Sequence, residues 1–304
     1  MEENERLAVE LAGEVITDAK SRLMLDLRFL DAAICALKPR AVTGGSVSTE
    51  GYFFNFYAKH VLLMYRHEPN VITRDYLHTV LHCVFKHSFV SHSINPDRWN
   101  LACDIAVENI INELDLDYLK CERTAEQERV LSMLKGNVPL LSAEKIYNTL
   151  LNYNLSHRQF EELRGAFFAD DHELWFRPEE DAEGGGEGDN DAQSDEQSTD
   201  TDESGNGNEQ NAPSKSSLSE MWSELSRRAQ VDLETTMREW GDKSDSLMRT
   251  LGIVNRERYD YTDFLKKFAV RGEAMRISED EFDYVFYTYG LSLYKNMPLI
   301  EPLE

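Results

Sequence analysis

Apolar residues recur at helical spacing through most of the first 170 positions. Leu7, Val9, Leu11, Val15 and Ile16, followed by Leu23, Leu25, Leu27 and Leu30, predict one long helix over 3–37. Lys38-Pro39 is read as its end, since proline cannot continue the hydrogen-bond ladder. The stretch 44–51 and Tyr52–Phe56 break the rhythm and predict two short strands joined by a turn at Glu50-Gly51. A helix follows over 58–67, broken at Glu68-Pro69-Asn70. Next, Leu77, Val80, Leu81, Val84 and Phe85 form an apolar stripe on a helix expected to be capped by Thr73, with Asp75 in its first turn. Trp99, Ala102, Cys103, Ala106, Ile110 and Leu114 define another helix over 98–114, with Asp97 as its cap. Shorter helices are predicted near 122–134, 142–153 and 156–167. The pattern gives an α+β fold that is predominantly α-helical, with a small hairpin or sheet.

The periodicity stops at Pro178. From there to Ser216 the chain carries 13 acidic residues and one lysine, and alanine is its only apolar side chain besides proline. Such a stretch cannot bury enough surface to offset the entropy of ordering it, so an acidic, disordered linker is expected over 178–216. It separates a body of residues 1–177 from a helical segment, 217–304. In that segment Leu218, Trp222, Leu225, Ala229, Leu233 and Met237 share a face, and 259–269 and 281–294 are rich in aromatics. The segment is expected to pack back on the first body or against a further domain.

The formal net charge is −24, which disfavours binding to phosphate backbones. No apolar run is long enough to span a bilayer, and the acidic, amphipathic start is unlike a secretory signal. Cys35, Cys83, Cys103 and Cys121 are widely spaced and read as reduced thiols, so a cytoplasmic protein is expected.

All eight histidines precede the linker, and four fall between His78 and His92. His78 and His82 are four apart, roughly 40° on the helical wheel, at the border of the apolar stripe. That spacing lets one helix offer two imidazoles to zinc. His87 lies on the opposite side of a straight helix. Asp104 and Glu108 repeat the four-residue spacing on the next helix, where they read either as ligands or as a solvated face. Asp171 and His172 form a further ligand-type pair, or a turn cluster. Asp242-Lys-Ser-Asp-Ser246 matches a D-x-S-x-S metal motif but follows a polar, helical stretch instead of a buried strand, and is rejected.

The stretches 76–87, 99–109 and 170–175 together resemble a bacterial metallopeptidase-like family with a zincin-like N-terminal domain and a C-terminal von Willebrand factor A-like domain. Residues 283–304 resemble the segment that leads into that second domain, which the resemblance places beyond Glu304. The family motif is H-E-x-x-H, and this chain has Thr79 where the motif has glutamate. In zincins that glutamate takes a proton from the attacking water and returns it to the leaving amine. A threonine hydroxyl does not ionise near pH 7 and can only hydrogen-bond. Glu108 is the candidate replacement base from the facing helix. The resemblance implies zinc held by His78 and His82, with Asp104 or His172 as third ligand, and proteolysis weakened or lost. It also implies a non-catalytic alternative, a scaffold working with a MoxR-type AAA+ ATPase.

Overall fold

The structure, a computed structural model, describes residues 2–89, 94–136, 140–153, 155–176, 213–256, 278–282 and 302–303. The chain divides into two units, Met1–Asn255 and Arg256–Glu304.

The first unit opens with α1 (Glu2–Asp26), a 3-10 turn (Arg28–Leu30) and α2 (Asp31–Ala36). The predicted single helix is therefore two. Its buried stripe is Ala12, Ile16, Ala19, Leu23 and Leu27, while Leu7, Leu11 and Leu25 are exposed. Alanine had carried part of the helical rhythm. Lys38-Pro39 does not merely stop the helix but opens a strand, β1 (Lys38–Val42). The predicted hairpin is β2 (Ser48–Thr49) with β3 (Phe53–Tyr57), antiparallel, with Thr49 opposite Phe54. β1 lies parallel on the other side of β3, from Lys38 opposite Phe53 to Val42 opposite Tyr57, giving the order β1-β3-β2. Gly51 takes φ +99° in the turn, a conformation that favours glycine.

Helix α3 (Ala58–His67) has the expected bounds. The following helix, α4 (Pro69–Val84), starts earlier than the pattern suggested. Pro69 occupies its first turn, where a missing N–H costs nothing, so the proline begins this helix. Thr73 and Asp75 are consequently interior, buried positions and not cap and first turn. Helix α5 (Pro96–Leu114) is capped by Asn95, whose side chain accepts from the Arg98 N–H at 3.0 Å; Asp97 sits in the first turn and is not the cap. Then come α6 (Glu122–Lys135), α7 (Ala143–Asn152), α8 (His157–Phe167) and a 3-10 turn over Glu173–Phe176.

Residues 177–212, most of the expected linker, lie outside the described residues. Helices α9 (Lys215–Trp240) and α10 (Asp245–Val254) belong to the first unit. Every residue from Ile72 to Val84 is buried, because α4 packs against α1, α3, α5 and α9. Trp222, Ala229, Leu233, Leu247 and Leu251 enter the same apolar core as α1, α3, α4 and the sheet. A boundary after residue 216 therefore does not describe the packing: 217–255 complete the body begun by residues 1–176. Trp222 is fully buried and its Nε1 donates to the Gly51 carbonyl at 2.7 Å. The D-x-S-x-S stretch falls on a 3-10 turn (Gly241–Ser244) and the start of α10, with no strand before it.

A second apolar cluster joins the first half of α5 to α6, α7 and α8 through Trp99, Cys103, Leu131, Ile146, Leu150 and Phe167. The C-terminal half of α5, from Val107, belongs to the first cluster. Asp104 and Glu108 flank that changeover.

In Arg256–Glu304, β4 (Ser278–Phe282) pairs antiparallel with β5 (Pro302–Leu303), so a strand occupies part of the segment expected to be helical. The aromatic stretches 259–269 and 283–294 lie outside the described residues. Among the described residues, no helix is long and apolar enough to cross a membrane. All four cysteines are unbonded, with Cys83 and Cys103 buried.

Candidate metal centre

Helix α4 supplies His78 and His82 on successive turns. Both rings are fully buried, not at the border of the stripe, because the whole helix is enclosed. Their Nε2 atoms face each other at 2.7 Å. Helix α5 brings Asp104 opposite, with its Oδ1 3.5 Å from His78 Nε2 and 3.4 Å from His82 Nε2.

The remaining donors come from an extended segment. Asp171 N–H donates to the Val47 carbonyl at 2.8 Å, and Asp171 forms a parallel bridge to Ser48 at the edge of the sheet. In extended chain, alternate side chains share a side. Asp170 and His172 therefore point together into the group, and Asp171 does not. Asp170 Oδ1 lies 3.3 Å from His78 Nε2 and 2.8 Å from His172 Nε2. His172 is held flat against Trp175, ring centroids 3.8 Å apart, and Trp175 Nε1 donates to the Thr49 carbonyl at 3.1 Å. Asp171 Oδ1 accepts from the Glu173 N–H at 2.9 Å, the turn-cluster role.

One ligand atom each from His78, His82, Asp104, Asp170 and His172 thus lies within 4.8 Å of every other, and all five residues are buried. The four metal candidates read from the sequence come together, and Asp170 joins them. The signal for Asp170 was present as D-x-H spacing, which only an extended backbone puts on one side.

His87 also approaches. Lys86 adopts a left-handed conformation, φ 59°, just past the end of α4 and turns the chain back. His87 Nδ1 then lies 3.0 Å from His82 Nδ1. A straight-helix wheel excluded this contact; the turn after the helix makes it.

Glu108 does not face the converging donors as a base. It lies behind His78, with Oε1 2.8 Å from His78 Nδ1. Its Oε2 accepts from Arg74 Nε at 2.9 Å and from Arg74 Nη2, and Arg123 Nη2 stands 3.3 Å from Oε1. Burial opposes its ionisation, but Arg123 and Arg74 prevail and hold the carboxyl well below its ordinary range. A carboxylate so stabilised is a poor proton acceptor near neutrality. Thr79 is likewise committed, its Oγ1 donating to the Asp75 carbonyl one turn back at 2.9 Å.

The electrostatics of the five-residue group favour a cation. Burial resists charging His78, yet the adjacent carboxylates of Asp104, Asp170 and Glu108 lift it well above the ordinary histidine value. His172 is raised against burial by the charges of Asp170 and Asp104. His82 is pushed down to about 4 by burial and by His78. Burial also resists ionising Asp104 and Asp170, but His172 foremost keeps both below the usual carboxylate range. Two buried carboxylates need two positive charges nearby. Protons on His78 and His172 supply them, and one divalent cation supplies both at once. Among the described residues, Asp104 Oδ1 and Asp170 Oδ2 are buried without a hydrogen-bond partner, a lack that a bound metal would make good. The donors present fit a divalent metal.

Asp104, Asp170 and His172 also form part of the wall of a cavity of about 380 Å³, together with Asp97, Arg164, Glu173 and Phe168. The cavity thus abuts the group on its Asp104, Asp170 and His172 side.

A family model described as "putative metallopeptidase domain" matches residues 14–254. The chain belongs to that family. The match runs through α10 and so includes the helices that follow residue 212, in keeping with their place in one core. No curated protein and no solved structure matches the chain.

Proposed function

We propose that this metallopeptidase-like domain binds zinc through His78, His82 and His172, with Asp104 and Asp170 as oxygen donors, and that its proteolysis is weak or absent. The observation that carries this reading is the convergence of five buried donors with two carboxylate oxygens left unpartnered. Imidazole and carboxylate donors suit zinc among the common divalent metals. Bound zinc would supply Lewis acidity and lower the pKa of a water to about 7. The chain's own part is to hold the imidazoles rigid, through enclosure of α4 and the stack of His172 on Trp175, and to leave one approach through the 380 Å³ cavity.

The proton-handling side chain of the family motif is what this chain lacks. Thr79 has no basic group, and Glu108 is turned to the far side of His78. Loss of a positioned general base lowers a rate by about 10²–10⁴-fold. The same observation supports a second reading, a non-catalytic scaffold, for which the sequence resemblance implies a MoxR-type AAA+ ATPase as partner and a von Willebrand A-like domain as the contact.

Zinc content of the purified protein tests the first reading against a His78→Ala, His82→Ala double variant. About one zinc per chain is expected in the native protein, and background in the variant. Equal zinc in both overturns it. Thr79→Glu then separates the two functions: peptidase activity gained with zinc bound marks a latent enzyme, and none gained favours the scaffold.

A further inference from the structure

We infer that Glu108, clamped by Arg74 and Arg123, is a positioning residue that fixes the tautomer and aim of His78 and thereby sets the metal affinity of the group. The inference rests on the zinc reading above and adds a residue set outside the five donors. His78 has two ring nitrogens with opposite tasks. Nδ1 is 2.8 Å from Glu108 Oε1 and Nε2 faces Asp104, Asp170 and His82. A carboxylate only accepts, so Nδ1 must carry the hydrogen, and Nε2 is the nitrogen whose proton a metal would replace and whose lone pair would face the group. The partner of the outer nitrogen chooses the tautomer and raises the basicity of the inner one.

Glu108 cannot drift from this task. It is fully buried, as is Arg74, and the Arg74 donors are all directed inward: Nε and Nη2 to Glu108, Nη1 to the Leu119 carbonyl at 2.8 Å, and Nη2 also to Gln127 Oε1 at 2.9 Å and to Asn112. Gln127 is anchored in turn, its Nε2 donating to the Ala166 carbonyl at 3.0 Å. Arg123 spans Glu108 and Asp75 on neighbouring helices. A network built only to bind helices together has no need to end on the outer nitrogen of a clustered histidine. This one does.

The test is zinc affinity, measured by chelator competition on the full chain, with folding followed by circular dichroism. Glu108→Gln keeps an acceptor for Nδ1 but removes the charge, and should weaken zinc binding by about 10–100-fold. In a His78→Ala background the same change should alter affinity less than twofold, because Glu108 acts through that ring. In the zinc-loaded native chain, ¹⁵N-edited NMR should show the His78 hydrogen on Nδ1, shifted in Glu108→Gln. Arg123 is the more exposed of the two guanidiniums, and Arg123→Gln, which leaves Arg74 on Glu108, should weaken zinc binding severalfold. Native affinity in folded Glu108→Gln, or an equal loss with and without His78, overturns the inference. If Glu108→Gln does not fold, native affinity in Arg123→Gln overturns it instead. Either result leaves the zinc reading standing, since that falls only if the native protein carries no more zinc than the His78→Ala, His82→Ala variant.

Discussion

Two buried polar clusters lie on opposite sides of the His78 ring, and they handle charge in opposite ways. On one side Arg74 and Arg123 meet Asp75 and Glu108, two cations against two carboxylates, linked by direct hydrogen bonds. On the other, Asp104 and Asp170 are paired with imidazoles alone among the described residues, and each keeps a buried oxygen without a partner there. The first cluster carries its own counter-charge. In the proposed reading the second is completed by a cation from outside. Burial alone does not mark a candidate site; buried carboxylates balanced only by imidazole protons, which a cation can replace, do.

The comparison breaks most sharply on the balanced side. Arg74→Met leaves Glu108 buried with one guanidinium instead of two and should cost about 3–5 kcal/mol in urea unfolding. A loss below about 1 kcal/mol would mean that the network is not what holds α4 to α5. On the unbalanced side, zinc at 100 times its dissociation constant should stabilise the native protein by about 2.7 kcal/mol. The same addition should do nothing for His78→Ala, His82→Ala; equal stabilisation of both would place the metal elsewhere. Asp171→Ala removes the acceptor for the Glu173 N–H and should cost about 1 kcal/mol with zinc affinity unchanged. Weaker zinc binding in this variant would contradict the alternation that puts Asp170 and His172 on one side. The smallest effect is expected of Thr79→Val, which loses one hydroxyl bond to the Asp75 carbonyl: within about 1 kcal/mol in stability, and native zinc content.

The helices of the first body were legible from periodicity, and α3 was placed to the residue. Errors arose where one residue type has two meanings. Pro39 and Pro69 were both read as breaks, yet one lies in the edge strand β1 and the other begins α4. The pairs on α4 and α5 were legible because four-residue spacing fixes a direction on a helix. Asp170 was not, because its direction follows from β pairing with the 47–48 segment, a contact more than 120 residues away along the chain. The setting of Glu108 was hidden for a similar reason: spacing placed it beside Asp104, and its pairing with Arg74 and Arg123, from two other helices, is a tertiary contact that spacing does not carry. The turn at Lys86 that returns His87 to His82 leaves no mark in a wheel that assumes the helix continues.

The indole of Trp222 anchored on the Gly51 carbonyl joins positions 171 apart in the chain. A ribosome that has released only the first 176 residues has not yet supplied the side chains that seal α1, α4 and the sheet. The nascent polypeptide must wait with that apolar surface bare until α9 emerges, and such intermediates are prone to aggregate. Truncation at residue 176 should accordingly yield insoluble protein, and supplying residues 213–256 as a separate peptide during refolding should rescue it.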